Sequence, residues 1–80
     1  MTSTDSLRAT VQASIRRYLE DMGCTEPEGL HRRLLEQVEP PLIEEILAYT
    51  EGNQSRAARI LGMTRNTLRS KLRNYGISPR

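Results

Sequence analysis

The chain has 80 residues, room for one small domain, since a usual domain holds roughly 100–150 residues, and a multidomain enzyme is excluded. Only 36% of the residues are hydrophobic, with no Trp and no Phe, so a single copy would gain about 3–5 kcal/mol from its core and oligomerisation is the expectation. The net charge of +2 hides an asymmetry: residues 1–52 hold five Arg against ten acidic residues, a balance of −5, whereas Arg56, Arg59, Arg65, Arg69, Lys71, Arg73 and Arg80 stand among residues 53–80 with no Asp or Glu, a balance of +7.

In chain order, Leu7, Val11, Ile15, Tyr18, Leu19 and Met22 recur at spacings of three and four, one face of an amphipathic helix. Asp5 or Ser6 is placed to cap its start, and Gly23 suits the left-handed position that ends it. Thr25 and Glu28 have the spacing of a capping box, with Pro27 in the first turn of a second helix. Its stripe continues through Leu30, Leu34, Leu35, Val38, Leu42, Ile43, Ile46, Leu47 and Tyr49 to a stop at Gly52. Pro40-Pro41 removes two backbone donors within it and predicts a kink or break. A third, short helix opens at an Asn53 cap and runs through Ala57, Ala58, Ile60 and Leu61 to Gly62, and a fourth opens at Thr64 and ends at Gly76. No strand pattern, repeat or low-complexity tract is present, so the fold class is all-α with about four helices.

The last two helices have the spacing of a helix-turn-helix. Small residues at Ala57 and Ala58 admit a close crossing, Gly62 supplies the turn, and Leu61, Met63 and Leu68 fill the wedge. Such a unit projects its second helix, and the basic, acid-free surface around it suits a polyanion, because each phosphate neutralised releases counterions. The first residues of that helix would enter the major groove: Arg65 fits guanine, Asn66 fits an adenine edge, and Thr64 and Thr67 fit a phosphate or a thymine methyl. Double-stranded DNA is therefore the expected partner. Arg59 is expected in solvent or near a phosphate, and Arg80 at a solvated end.

One cysteine, Cys24, and one histidine, His31, permit no intramolecular disulfide, thiolate-rich zinc site or two-cysteine redox centre, and a reducing, cytoplasmic setting fits. Neither residue has a nucleophile's or ligand's partners in the sequence, and Glu44-Glu45 reads as a wet helix face. No enzyme activity, cofactor, metal or small-molecule substrate is expected. The N-terminus lacks a secretory pattern, and no run approaches the roughly 18–20 apolar residues of a membrane span, so neither export nor membrane insertion is expected.

The text Pro41-Leu42, Tyr49-Thr50-Glu51-Gly52-Asn53-Gln54-Ser55-Arg56-Ala57-Ala58, Leu61-Gly62, Arg65-Asn66-Thr67-Leu68-Arg69, Lys71-Leu72 and Tyr75-Gly76 resembles the Fis (factor for inversion stimulation) family of bacterial nucleoid-associated proteins. The helix-turn-helix alone is shared with output domains of nitrogen-regulatory enhancer-binding activators. The likeness extends over residues 6–77 with no ATPase domain before them, which favours a small, free-standing member of the first family.

The resemblance implies a homodimer whose first two helices intertwine, with residues 1–52 as dimerisation region and 53–80 as DNA-binding region of one single domain. It implies recognition helices set too close for successive grooves of straight DNA, hence bending, loose specificity and roles in nucleoid organisation and transcriptional regulation. Carried over by position, Asn53, Gln54 and Ser55 would hold phosphates, Thr64 and Arg65 would meet bases, and Thr67, Arg69, Lys71 and Arg73 would flank the groove on phosphates. Thr64 stands where an Asn is familiar, and Ser70 and Asn74 where Lys is familiar. Only about five residues precede the first helix, where well-known members carry longer arms that contact a DNA invertase, so stimulation of recombination is not expected. The rival readings are a regulon-specific regulator related to the activator output domains and, more remotely, a helical protein-interaction module. Footprint breadth separates the first, and salt-dependent binding to random duplex DNA the second.

Overall fold

The structure is a computed structural model that describes residues 4–78. Four helices follow one another, α1 (Thr4–Met22), α2 (Leu30–Tyr49), α3 (Gln54–Leu61) and α4 (Arg65–Tyr75), with no strand among the described residues. The fold is thus all-α, two longer helices before a helix-turn-helix. The chain divides between Leu30 and His31 into two compact units. None of the described helices is long and apolar enough to cross a membrane.

The first unit is α1 and the segment after it. The helix already runs from Thr4, so Ser6 lies inside its first turn and does not cap it; the Asp5 side chain and Arg80 lie outside the described residues. Val11, Ile15, Tyr18 and Met22 are half-buried, whereas Leu7 and Leu19 are exposed. Gly23 ends the helix with φ +65°, as the sequence indicates, because a left-handed residue turns the chain off the helix axis at no Cβ cost.

In the second unit, α2 starts at Leu30, five residues beyond the Thr25 signal. Gly29 has φ +66°, which no helix can pass through, so Thr25, Glu26, Pro27 and Glu28 remain outside any helix. The helix is unbroken through Pro40 and Pro41. Each proline lacks the N–H that would reach four residues back, so the carbonyls of Glu36 and Gln37 have no helical donor. Tertiary burial offsets that loss: one turn later Ile43 and Leu47 are fully buried, and most helix stability in proteins comes from such packing.

The core joins α2 to the helix-turn-helix. Ile43, Leu47, Ala57, Ala58, Leu68 and Leu72 are buried together, with Ile46, Leu61, Met63, Tyr75 and Ile77 packed partly against them. The two alanines admit the close approach of α3 and α4, and of the three expected wedge residues Leu68 is fully buried while Leu61 and Met63 form its margin. Between α2 and α3 the chain turns through two left-handed residues, Glu51 at φ +56° and Gly52 at φ +83°. Buried Thr50 supports the turn by donating from Oγ1 to the Leu47 carbonyl at 3.2 Å, and the Gly52 N–H reaches the same carbonyl at 2.9 Å.

Candidate nucleic-acid interface

Two capped helix starts frame the site. Asn53 Oδ1 accepts from the Arg56 N–H at 3.0 Å, opening α3, and Thr64 Oγ1 accepts from the Thr67 N–H at 3.1 Å, opening α4. Both bonds satisfy donors that a helix start leaves unpaired. The Thr64 hydroxyl also donates to Thr67 Oγ1 at 2.9 Å, so the two threonines form one local motif. Gly62, at φ +80°, closes α3 and sets the turn, its N–H directed at the Ala58 and Arg59 carbonyls.

On α4 the cationic side chains separate by angle. At about 100° per residue, Arg65, Arg69 and Arg73 stay within an arc of about 80°, with Asn66 at its edge, while Leu68 and Leu72 point to the core. Arg65, Asn66, Thr67, Arg69 and Arg73 are all exposed, and Arg73 is steadied by a long bond from Nη2 to Ser70 Oγ, 3.4 Å. Gln54 joins Arg69 and Arg73 around an open cleft of about 350 Å³ between the start of α3 and α4, and its Oε1 is enclosed without a donor among protein groups. Ser55 is exposed beside it. The structure therefore brings Gln54, Arg69 and Arg73 together and presents Arg65 and Asn66 at the free end of α4.

Lys71 is placed otherwise. It lies about 160° around the helix from Arg73, and its Nζ is 3.1 Å from both carboxylate oxygens of Glu39 on α2. Tyr75 donates its phenolic O–H to Glu39 Oε1 at 2.6 Å. That hydrogen bond first, and the Lys71 ammonium after it, hold the Glu39 carboxyl below the usual carboxylate range, while the same bond raises the Tyr75 phenol.

Two residues that the motif alone did not single out pair with each other at the start of α3. The Arg56 guanidinium lies 5.3 Å from the centre of the Tyr49 ring, a cation–π distance, and both are exposed. Arg56 was visible as part of the acid-free charge run; its aromatic support was not, because Tyr49 read as part of the apolar stripe. Arg59, in the last turn of α3, is exposed.

Cys24 and His31 are exposed, and among the described residues no group of three or more His, Cys, Asp or Glu side chains is arranged to hold a metal ion. Replacing them together by Ser and Asn is expected to leave duplex binding unchanged, because both lie in the acidic half, away in sequence from the basic helices. A prompt disulfide-linked dimer on non-reducing electrophoresis after mild oxidation, with altered DNA affinity, would count against this.

Residues 34–75 match the family described as bacterial regulatory protein, Fis family. The chain is 44% identical over 72 residues to the DNA-binding protein Fis of Photobacterium profundum, covering 90% of this chain and 74% of that protein. The DNA-binding proteins Fis of Vibrio atlanticus and Vibrio cholerae serotype O1 are similar to it at the same 44% identity and the same coverage. With the helix-turn-helix and its arginine row inside the matched segment, the chain belongs to the Fis family of bacterial regulatory proteins.

Proposed function

We propose that this protein is a homodimeric, sequence-tolerant DNA-binding and DNA-bending protein of the bacterial cytoplasm, acting in nucleoid organisation and transcriptional regulation and not as an enzyme. The observation that carries the reading is the exposed row Arg65, Arg69 and Arg73 on α4, in a stretch, residues 53–80, free of acidic residues. Arginine suits both guanine edges and phosphates, and a row of three follows a groove wall. The relatives' name, DNA-binding protein Fis, agrees. Asn53, Gln54, Ser55, Thr64, Asn66 and Thr67 complete the proposed contact surface. The Thr64 oxygen serves the α4 cap, so what Thr64 and Thr67 offer a thymine is chiefly methyl contact. Looseness of sequence follows from having two base-reading polar side chains, Arg65 and Asn66, at the tip of α4.

The test is a gel shift with random-sequence and A·T-rich duplexes over a salt series, and with circularly permuted duplexes for the bend. Binding to both duplexes that weakens steeply with salt is expected. No binding to any duplex at low salt would refute the reading, and strong discrimination for one site would replace it with a regulon-specific regulator.

The dimer is supported by apolar side chains that one copy leaves in water. Leu35, Val38 and Leu42 share a stripe of α2 at 40%, 46% and 48% exposure, and Leu7 of α1 is at 59%. A second copy of the same chain is the occupant that fits, because it brings the same apolar stripe to the contact and one interface then covers both. The unfolding midpoint is accordingly expected to rise with protein concentration. A folded species of one chain's mass, stable on dilution to nanomolar in light scattering and sedimentation, would exclude it.

A further inference from the structure

Of the chain's twelve basic residues, Lys71 is the one lysine, and its ammonium is ion-paired to Glu39 of another helix. We propose that Glu39, Lys71 and Tyr75 form a clasp that fixes how α4 is presented to DNA, so that Lys71 is a positioning residue and not a phosphate contact. The inference rests on the DNA-binding reading and deepens it.

Three observations converge. The Lys71 ammonium reaches both Glu39 oxygens at 3.1 Å, and Tyr75, one helical turn further on, donates to Oε1 at 2.6 Å. The carboxylate thus receives two rungs of α4, which sets rotation about the helix axis as well as distance from α2. The site is partly withdrawn from water, with side-chain exposures of 32% for Lys71 and 20% for Glu39, at the edge of an open groove of about 650 Å³ between α2 and α4 that Leu35 and Asn74 also line. Lastly, the clasp lies on the side of α4 opposite the arginine row, so pulling Lys71 toward a phosphate would require α4 to rotate Arg65, Arg69 and Arg73 away.

Charge alone and the clasp make opposite forecasts, which the duplex gel shift over a salt series separates. Glu39→Lys makes the net charge behind the DNA-binding helix more positive and strengthens binding if the carboxylate is only a repulsive charge. The clasp requires it to weaken binding, by about fivefold. Combining Glu39→Lys with Lys71→Glu restores the pair with its sign reversed and is expected to recover most of the affinity lost by either reversal. A swapped variant no better than Lys71→Glu alone would overturn the clasp, as would Glu39→Lys binding more tightly than the unaltered chain. Tyr75→Phe changes no charge and keeps the ring: it is expected to lower affinity for every duplex while leaving the salt slope unchanged, and unchanged affinity there overturns the clasp even if the reversals fail to fold. Failure of the unaltered chain to bind any duplex would instead overturn the DNA-binding reading and the clasp's role with it.

Discussion

Leu68→Ala is expected to lower the unfolding free energy by about 2–5 kcal/mol, the cost of removing a fully buried Leu and leaving a cavity. Leu68 has no exposed surface and belongs to a cluster of six buried apolar residues, two of them alanines, so little neighbouring mass is available to collapse into the space. A chain this small has about 5 kcal/mol of stability to lose, and the variant should be largely unfolded at the concentrations where the unaltered protein is folded. Ile60→Ala is the control: Ile60 is on α3 but 46% exposed, and truncating it should change stability by well under half as much. Urea titration followed by circular dichroism reads both. A Leu68→Ala variant within about 1 kcal/mol of the unaltered chain would show that α4 is not held by the core described here.

Arg65→Ala is expected to separate fold from recognition. Arg65 occupies the first residue of α4, where the positive end of the helix dipole disfavours a cation by about 0.3–1 kcal/mol. Its removal should leave the fold intact or slightly steadier while weakening specific duplex binding by about 1–3 kcal/mol and relaxing base preference. Arg73 sits in the last turn, where the dipole favours it. Arg73→Ala should weaken all duplexes alike and make the salt slope shallower by about one. Isothermal titration on matched and scrambled duplexes distinguishes the two. Equal losses on every sequence for both variants would make Arg65 a phosphate contact and remove it from base reading.

The parts of this architecture that depend on neighbours in sequence were legible without coordinates. Asn53 and Thr64 are caps because a short polar side chain there meets an N–H three residues on, and Gly23, Gly62 and Gly76 end helices because each takes a left-handed φ. Competing local signals were harder. Thr25 and Glu28 have capping spacing, yet Gly29 takes a left-handed φ immediately afterwards and α2 begins at Leu30. The proline pair argued for a kink or break; the break does not occur, and burial of Ile43 and Leu47 keeps the segment helical. The candidate site divides in the same way. Their four-residue spacing is itself enough to turn Arg65, Arg69 and Arg73 to one side of α4. The partner of Lys71 stands 32 residues earlier, at Glu39, and only tertiary packing joins them, so charge counting grouped Lys71 with the free cations.

The two-rung gap in α2 has a consequence for motion. Since Pro40 and Pro41 bring no amide proton, the hydrogen-bond ladder of this helix loses two successive rungs, those to Glu36 and Gln37, and is held there only by its neighbours. Residues 42–49 are anchored by Ile43 and Leu47, whereas in one copy no residue of 30–39 is fully buried. Amide exchange should therefore report two halves with separate opening free energies, the later half as slow as α4 and the earlier half markedly faster. Glu39 is the last amide before the gap, so the carboxylate that receives Lys71 and Tyr75 ties the faster half of α2 to the slow body of the helix-turn-helix.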